Sequence, residues 1–336
     1  MTSIWMLIWK HCWARKSNQQ IGKGPAHKAG LFHLKDHMTK HLIIDGNSIG
    51  YACHYGPKLK SGNLETQAIY GFVRTMRVLR QNYPDFTLTC LWDGKASWRY
   101  ELEPEYKSSR SDDPKKVAIR SAYSEQRPYI TRALEALGIR QMTAFTHEAD
   151  DLAGLLVKKL ADKPENEIVL ISGDEDWIQL LRPNVSWRDL RNDEKIISMK
   201  NLMNKTGYAT PFGFLQGKCL MGDSSDCISG VGGIGEKGAP EFIAEFGSVR
   251  KFWAACDSGS LVPTRKPLIK LCSAEGRAIY GRNFRLMQLL QVAPPKKESM
   301  DIRPGTFDKG AFEDLCGELA FMSILKNIDN FTKDFQ

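Results

Sequence analysis

Nine carboxylates, Asp45, Asp93, Glu148, Asp150, Asp151, Asp174, Asp176, Asp223 and Asp226, fall at the ends of apolar runs or at the openings of helical segments. Acids scattered over a surface solvate themselves, whereas acids gathered at the mouth of a sheet repel one another unless divalent cations sit among them. An oxygen-only donor set of this kind suits Mg²⁺ or Mn²⁺. Two such ions, roughly 3.5–4 Å apart, would stabilise the attacking and leaving oxygens of a phosphodiester displacement. Each acid alone has a plainer reading, since Asp at a strand end forms turns and acids in a first helical turn favour the macrodipole. Ordinary turns would mix Asn, Ser and Gly into these positions, so it is the set that points to one site.

The elements that must position these acids alternate short apolar strands with helices, which predicts an α/β fold with a mostly parallel central sheet. Leu42-Ile43-Ile44 ends at Asp45, the run from Phe86 to Trp92 ends at Asp93, and Ile168-Val169-Leu170-Ile171 leads to Asp174. Ligands of open α/β sheets gather outside such carboxyl ends. Ile69, Phe72, Val73, Met76 and Leu79 predict a core-facing helix within 64–81. Residues 96–126 are charged, contain Pro104 and Pro114 and lack a core face, so they are expected to leave the sheet as an excursion. A helix near 128–137, stopped at Gly138, and a strand at 139–144 follow. The next helix is expected to open after Thr146, whose hydroxyl can cap it. Glu148 and Asp151 then share a face, with Asp150 turned roughly 160° away.

Beyond about residue 206 the texture becomes helical, with Phe212–Met221, a Gly-dense hairpin at 230–235 and helices near 241–256, 274–290 and 309–325. Three parts are therefore expected: a basic extension at 1–37, an α/β core at 38–205 and a helical region at 206–336.

The chain has 336 residues and a net charge of +8, but residues 1–40 hold seven Lys/Arg against one acid, which leaves about +2 for the remainder. A nucleic-acid argument must therefore rest on where the basic residues lie. The extension has neither helical nor strand periodicity; its short apolar run without a small-residue cleavage site argues against a secretory signal, and as an acid-poor basic leader it resembles an organelle transit peptide, although its Arg/Ser pattern is poorly developed. It is expected to be disordered or to precede a true start at Met38. Eight cysteines lie far apart without a C-x-x-C pair, as expected of reduced thiols in a cytoplasmic protein of a bacterial or phage-infected cell. No apolar run approaches the roughly 20 residues that span a bilayer.

The most specific string runs from Met221 to Ala239, Met-Gly-Asp-Ser-Ser-Asp-Cys-Ile-Ser-Gly-Val-Gly-Gly-Ile-Gly-Glu-Lys-Gly-Ala. Gly230, Gly233 and Gly235 permit tight turns and close approach to a phosphate, the following helix offers free amides, and Lys237 adds charge. Asp223 and Asp226 tie this grip to the acid set. With Ile44-Asp45-Gly46-Asn47, Trp92-Asp93-Gly94-Lys95, Pro104-Glu-Tyr-Lys-Ser-Ser-Arg110, Glu148-Ala-Asp-Asp151 and Ser172-Gly-Asp-Glu-Asp-Trp177, the chain resembles the 5′-nucleases from about Leu42 to about residue 290. These are the flap endonucleases or 5′–3′ exonucleases, stand-alone in phage and also a domain of bacterial DNA polymerase I.

The resemblance implies a PIN-like core with a helical arch at 96–126 and a helix-three-turn-helix. Asp45, Asp93, Glu148, Asp150, Asp151 and Asp174 would serve a first metal, some through water, and Asp176, Asp223 and Asp226 a second. Lys107 and Arg110 would contact the scissile phosphate and Tyr106 would stack on a terminal base. Lys115, Lys116 and Arg120 would line the arch, although Asp112 and Asp113 dilute its field. The turn at 230–239 would grip duplex DNA, with a K⁺ ion on its carbonyls. Flapped, branched or nicked DNA, RNA primers included, is the implied partner of a monomer. Lys107 and Arg110, three apart, could share a helical face where cations neutralise phosphoryl charge. Gly238 and Pro240 put the start of the second gripping helix in question. A PIN-like ribonuclease needs neither the Gly string nor Asp223 and Asp226, a non-catalytic DNA-binding protein would be expected to lose acids, and a DNA glycosylase has no use for most of them.

Overall fold

The computed structural model describes residues 39–110, 113–192 and 195–336, without the side chain of Arg110. The expected extension at 1–37 and Asp112 lie outside the described residues. The described residues form eleven strands: β1 Lys40–Asp45, β2 Lys60–Ser61, β3 Leu64–Glu65, β4 Thr87–Trp92, β5 Arg140–Ala144, β6 Glu167–Ile171, β7 Val185–Arg188, β8 Ile196–Ile197, β9 Gly222–Asp223, β10 Ile228–Ser229 and β11 Met300–Arg303. Seven of them form one sheet in the order β11-β5-β4-β1-β6-β7-β8. The five central strands run parallel, and β11 and β8 close the edges antiparallel. Leu42, Ile43 and Ile44 of the central strand are at most 1% exposed, the continuous apolar run of a strand covered on both faces. The strand order reverses between β1 and β6, and ligands of open α/β sheets bind at such a switch point. Asp45 ends β1, and Asp174 follows β6 there.

The helices are α1 Gly46–His54, α2 Gln67–Asn82, α3 Ser97–Leu102, α4 Pro114–Ala136, α5 Ala149–Leu160, α6 Leu202–Thr206, α7 Pro211–Met221, α8 Gly238–Phe246, α9 Val249–Asp257, α10 Lys266–Cys272, α11 Ala274–Met287, α12 Lys309–Glu318, α13 Met322–Leu325 and α14 Ile328–Thr332. One apolar cluster joins Ile43 and Leu91 to α5 and the 202–289 helices, and another joins Leu42 and Ile44 to α2, α4 and the C-terminal helices.

Several boundaries differ from the sequence expectation. The helix expected near 128 begins at Pro114 and runs through Pro128. Tyr123 and Gln126 are already buried upstream of it, and the Gln126 carboxamide accepts from Ala68 N at 2.9 Å. That packing outweighs the one backbone bond that proline forfeits. The helix expected at 241–256 breaks into two where Gly247 takes a φ of 73°. Pro240 falls in the first turn of α8, where a missing amide costs no intrahelical bond, so α8 starts at Gly238 without delay.

The expected division at 205/206 needs correction at its far end. β11 pairs with β5, and Phe312, Leu315, Phe331 and Phe335 share the cluster of Leu42 and Ile44. Residues 300–336 therefore return to the α/β body. An edge strand of four half-exposed residues, Met-Asp-Ile-Arg, carries too little alternation to be read as a strand.

Candidate active site

Six of the nine acids, Glu148, Asp150, Asp174, Asp176, Asp223 and Asp226, line one cleft of about 110 Å³. Glu148 is the N-cap of α5, with an extended φ/ψ of −86°/165°. The 3.6-residue period therefore does not reach it, which corrects the expectation that it shares a face with Asp151. Thr146 is not the cap; its hydroxyl pairs with His147 Nδ1 at 2.9 Å. Asp151 completes a capping box by accepting from Glu148 N at 3.0 Å, and both its oxygens accept from Arg99 at 2.6 and 2.7 Å. Fully buried and fully engaged, Asp151 does not present an oxygen to the cleft, and the ligand role expected of it is not supported. Asp150, expected to point away, faces the cleft instead, where Trp177 Nε1 donates to it at 2.6 Å.

Asp45 and Asp93 stand one layer behind. Asp45 accepts from Ser48 N at 2.9 Å and Ser172 Oγ at 2.7 Å, and Asp93 accepts from Asn47 Nδ2 and from Ala149 N at the opening of α5. Burial and then the charge of Asp93 push the Asp45 carboxyl up to about 6. Burial, then Asp174, Asp93, Asp45 and Glu148, hold Asp150 well above the ordinary carboxylate range. Desolvation and then Asp176 raise Asp174 to about 7, with the Asp176 backbone amide and Lys218 acting against the rise.

Two ammonium groups are threaded between the carboxylates. Lys107 Nζ lies 2.6 Å from Glu148 Oε1 and 3.7 Å from Asp226 Oδ2. Lys218 Nζ lies 2.9 Å from Asp176 and 3.1 Å from Asp223. Burial works against the charge of Glu148, but Lys107 and Arg99 more than offset it and hold the carboxyl below its usual range. Asp223 is likewise lowered despite partial burial, by Lys218 and by Ser225. Lys218 escaped the sequence reading; its only signal was a single cation in the apolar run Pro211–Met221, five residues before Asp223.

Among the described residues no three metal-ligating side chains yet converge on one point. The ammonium groups hold the carboxylates in pairs, while Asp150 and Asp174 are left under mutual repulsion. This crowded oxygen-only set, in which burial and neighbouring carboxylates raise Asp45, Asp150 and Asp174, fits a hard divalent cation. The sign of the linkage follows. Carboxyls raised in the folded state bind more protons than in the unfolded chain, so their destabilisation is full above the folded pKa and relieved as pH falls through it. Metal-free protein is thus expected to melt higher at about pH 5.5 than at about pH 8, and Mn²⁺ to raise the melting temperature more at the higher pH. Thermal scans in EDTA and in Mn²⁺ at the two pH values check this; equal metal-induced shifts would contradict it.

The expectations for 106–120 are partly overturned. Tyr106 is 4% exposed and donates to Glu148 Oε2 at 2.9 Å, so it packs beneath the cleft and is not available for stacking. Lys107 has a φ of 57° and precedes the 3-10 turn Ser108–Arg110, so it and Arg110 do not share a helical face. The side chain of Arg110 lies outside the described residues. Lys115, Lys116 and Arg120 occupy the first two turns of α4, with both lysines exposed and the helix capped by Asp113.

The Gly string forms the β9–β10 pair, which carries Asp223, and a turn that leads into α8 with Lys237 at its N-cap. A Cβ on Gly230 would meet the Met221 carbonyl oxygen at 2.1 Å, Gly233 has a φ of 75° beside Pro267, and a Cβ on Gly235 would meet nothing within 4 Å. Gly230→Ala is therefore expected to cost about 1–3 kcal/mol of stability. Gly235→Ala should leave the melting temperature unchanged and weaken binding of duplex DNA, because its open face is where a phosphate backbone could approach. Melting curves and DNA titrations of both variants separate the two effects.

Residues 40–207 match the family model of the 5′–3′ exonuclease N-terminal, resolvase-like domain. The chain belongs to the 5′–3′ exonuclease family. It is 30% identical over 295 residues to DNA polymerase I of Bacillus subtilis, covering 86% of this chain and 32% of that protein. With the thermostable DNA polymerase I of Thermus filiformis the identity is 33% over 222 residues, 65% of this chain and 25% of the relative. This 5′–3′ exonuclease family member thus spans about a quarter to a third of the length of these curated relatives. Among solved structures it is similar to the phage T5 5′-exonuclease with bound zinc ions, at a TM-score of 0.62 and 25% identity, covering 88% of this chain and 98% of that one. No described helix is long and apolar enough to cross a membrane.

Proposed function

We propose that this member of the 5′–3′ exonuclease family is a structure-specific 5′ nuclease that hydrolyses DNA phosphodiester bonds near the 5′ ends of flapped, branched or nicked duplexes. One observation carries the reading: the acids of the sheet's switch point and those of the β9–β10 pair beside the Gly turn face the same cleft, with Lys107 between them. Asp150, Asp174 and Glu148 would hold one Mg²⁺ or Mn²⁺ ion, with Asp45 and Asp93 acting through water, and Asp176, Asp223 and Asp226 a second. When bound, such ions supply Lewis-acid charge at the attacking and leaving oxygens. Water attacks the phosphorus in line and the 3′ oxygen departs, which leaves a 5′-phosphate and a 3′-hydroxyl. Lys107, released from Glu148 and Asp226, neutralises charge on a non-bridging oxygen. The turn at 230–237 and the amides of α8 would hold the duplex, and the turn carbonyls would hold a K⁺ ion that supplies positive charge toward the phosphates. The site of action in this reading is the cytoplasm of a bacterial or phage-infected cell, and one chain supplies the residues that line the cleft.

A PIN-like ribonuclease is the weaker alternative, because it gives Asp223, Asp226 and the Gly turn no work. The test is cleavage of a 5′ flap, a nicked duplex, a single strand, an RNA–DNA primer and a flap with a blocked 5′ end, each with and without Mg²⁺ and K⁺. Mg²⁺-dependent cutting of the flap and nick into 5′-phosphate products is expected. Preference for single-stranded RNA would favour the alternative.

A further inference from the structure

Arg99 is a buried cation that bonds to both sides of the cleft. It is 2% exposed, and its guanidinium forms a fork on both oxygens of Asp151, donates through Nε to the Leu286 carbonyl at 3.0 Å and stands 3.4 Å from Glu148 Oε2. Asp151 in turn accepts from Glu148 N and so fixes the turn from which Glu148 and Asp150 enter the cleft. Leu286 lies in the last turn of α11. The same helix reaches the other acid group: Asn283 Nδ2 donates to Cys219 O and to Ser229 O at 2.9 Å each, and so holds the end of α7 and strand β10. Gln179 adds one bond to the end of α11, to Met287 O, and one to the segment after it, from Leu289 N, both at 3.0 Å.

One guanidinium thus stands between the two acid groups. On one side is the turn bearing Glu148 and Asp150; on the other, through α11, is the β9–β10 pair that flanks Asp223 and Asp226. We infer that Arg99 is a positioning residue that sets the register between these two groups, and with it the affinity of the cleft for divalent cations. This rests on the metal-nuclease reading above. The arrangement needs arginine: a planar fork can satisfy a carboxylate with two N–H groups and still turn Nε toward a carbonyl, whereas lysine offers a point charge on a flexible stem. A buried Arg–Asp pair alone could be a plain structural bond, so the test must read the register and not only stability.

The experiment uses the full chain and Arg99→Lys, which keeps the buried charge. Metal-free melting, Mn²⁺ binding by calorimetry, the Mg²⁺ half-saturation for cutting a 5′ flap, and flap binding in EDTA are compared with the parent. Arg99→Lys should melt cooperatively, bind Mn²⁺ about tenfold or more weakly, need correspondingly more Mg²⁺, and bind DNA in EDTA within about threefold of the parent. Folded Arg99→Lys with the parent's Mn²⁺ isotherm and Mg²⁺ half-saturation overturns the inference. If Arg99→Lys does not fold, Gln179→Met decides, because it loosens the 287–289 segment without touching an acid. A Mn²⁺ affinity several-fold below the parent's supports the inference, and a parent-like affinity overturns it. A parent that neither binds Mn²⁺ nor cuts defeats the functional reading and this inference together, whereas an unchanged Arg99→Lys beside an active parent defeats the inference alone.

Discussion

Asp174→Asn is expected to slow Mg²⁺-dependent cleavage of a 5′ flap by on the order of 10³-fold, while binding of the same DNA in Ca²⁺ survives. Asp174 stands at the switch point of the sheet, where its carboxylate lines the cleft while Oδ1 accepts from Asp176 N at 2.8 Å. Asparagine preserves that turn-capping bond and the shape, and removes only the charge. Desolvation and Asp176 disfavour the ionised form in the metal-free cleft, so the substitution should leave the melting temperature in EDTA equal to or above the parent's. Loss of activity with retained or raised stability is the signature of a ligand, whereas loss of both would indicate a structural acid. Cleavage by Asp174→Asn at the parent's rate would rule out the proposed mechanism.

The second large effect is expected at Lys107. Lys107→Met should reduce flap cleavage by on the order of 10²-fold, because the side chain that can neutralise phosphoryl charge is replaced by an apolar stem of similar length. Its position is built at a cost: the φ of 57° is a left-handed conformation that a non-glycine residue adopts at on the order of 1 kcal/mol or more. The bond from Lys107 N to Asp226 O at 2.9 Å holds it there, above the acids of both groups. Lys107→Met also leaves Glu148 and Asp226 without their ammonium partner. The variant should therefore melt lower than the parent in EDTA and recover most of the difference in Mn²⁺. Single-turnover cleavage and paired melting curves check both statements. Unchanged cleavage would place Lys107 among purely structural cations.

What the residues disclosed depended on how local the signal was. Strand ends were legible because Leu42–Ile44 and Ile168–Ile171 are continuous apolar runs that stop just before acids, and the parallel sheet then brings those acids to one edge. The turn at Glu148 misled because helical geometry begins one residue later, at Ala149, so a count by 3.6 residues rotates every side chain before it wrongly. Tyr106 and Arg99 lie in a segment with no periodicity, and their burial follows from contacts with Glu148, Asp151 and Leu286, up to 187 residues away. Lys218 was hidden for the opposite reason, since a lone cation in an apolar helix looks like a solvated exception until the sheet acids are set against it. The return of residues 300–336 to the sheet depends on β11 pairing with β5, a register that short edge strands do not advertise.

The central claim is that acids from the sheet and acids from the β9–β10 pair share divalent cations in one cleft. Crystals grown with Mn²⁺ and measured at the manganese edge test it most directly. Two anomalous peaks are predicted, one beside Asp150 and Asp174 and one beside Asp176, Asp223 and Asp226, with Lys107 and Lys218 moved off the carboxylates they now bridge. A cleft without manganese, its acids still paired to the two lysines, would contradict the claim.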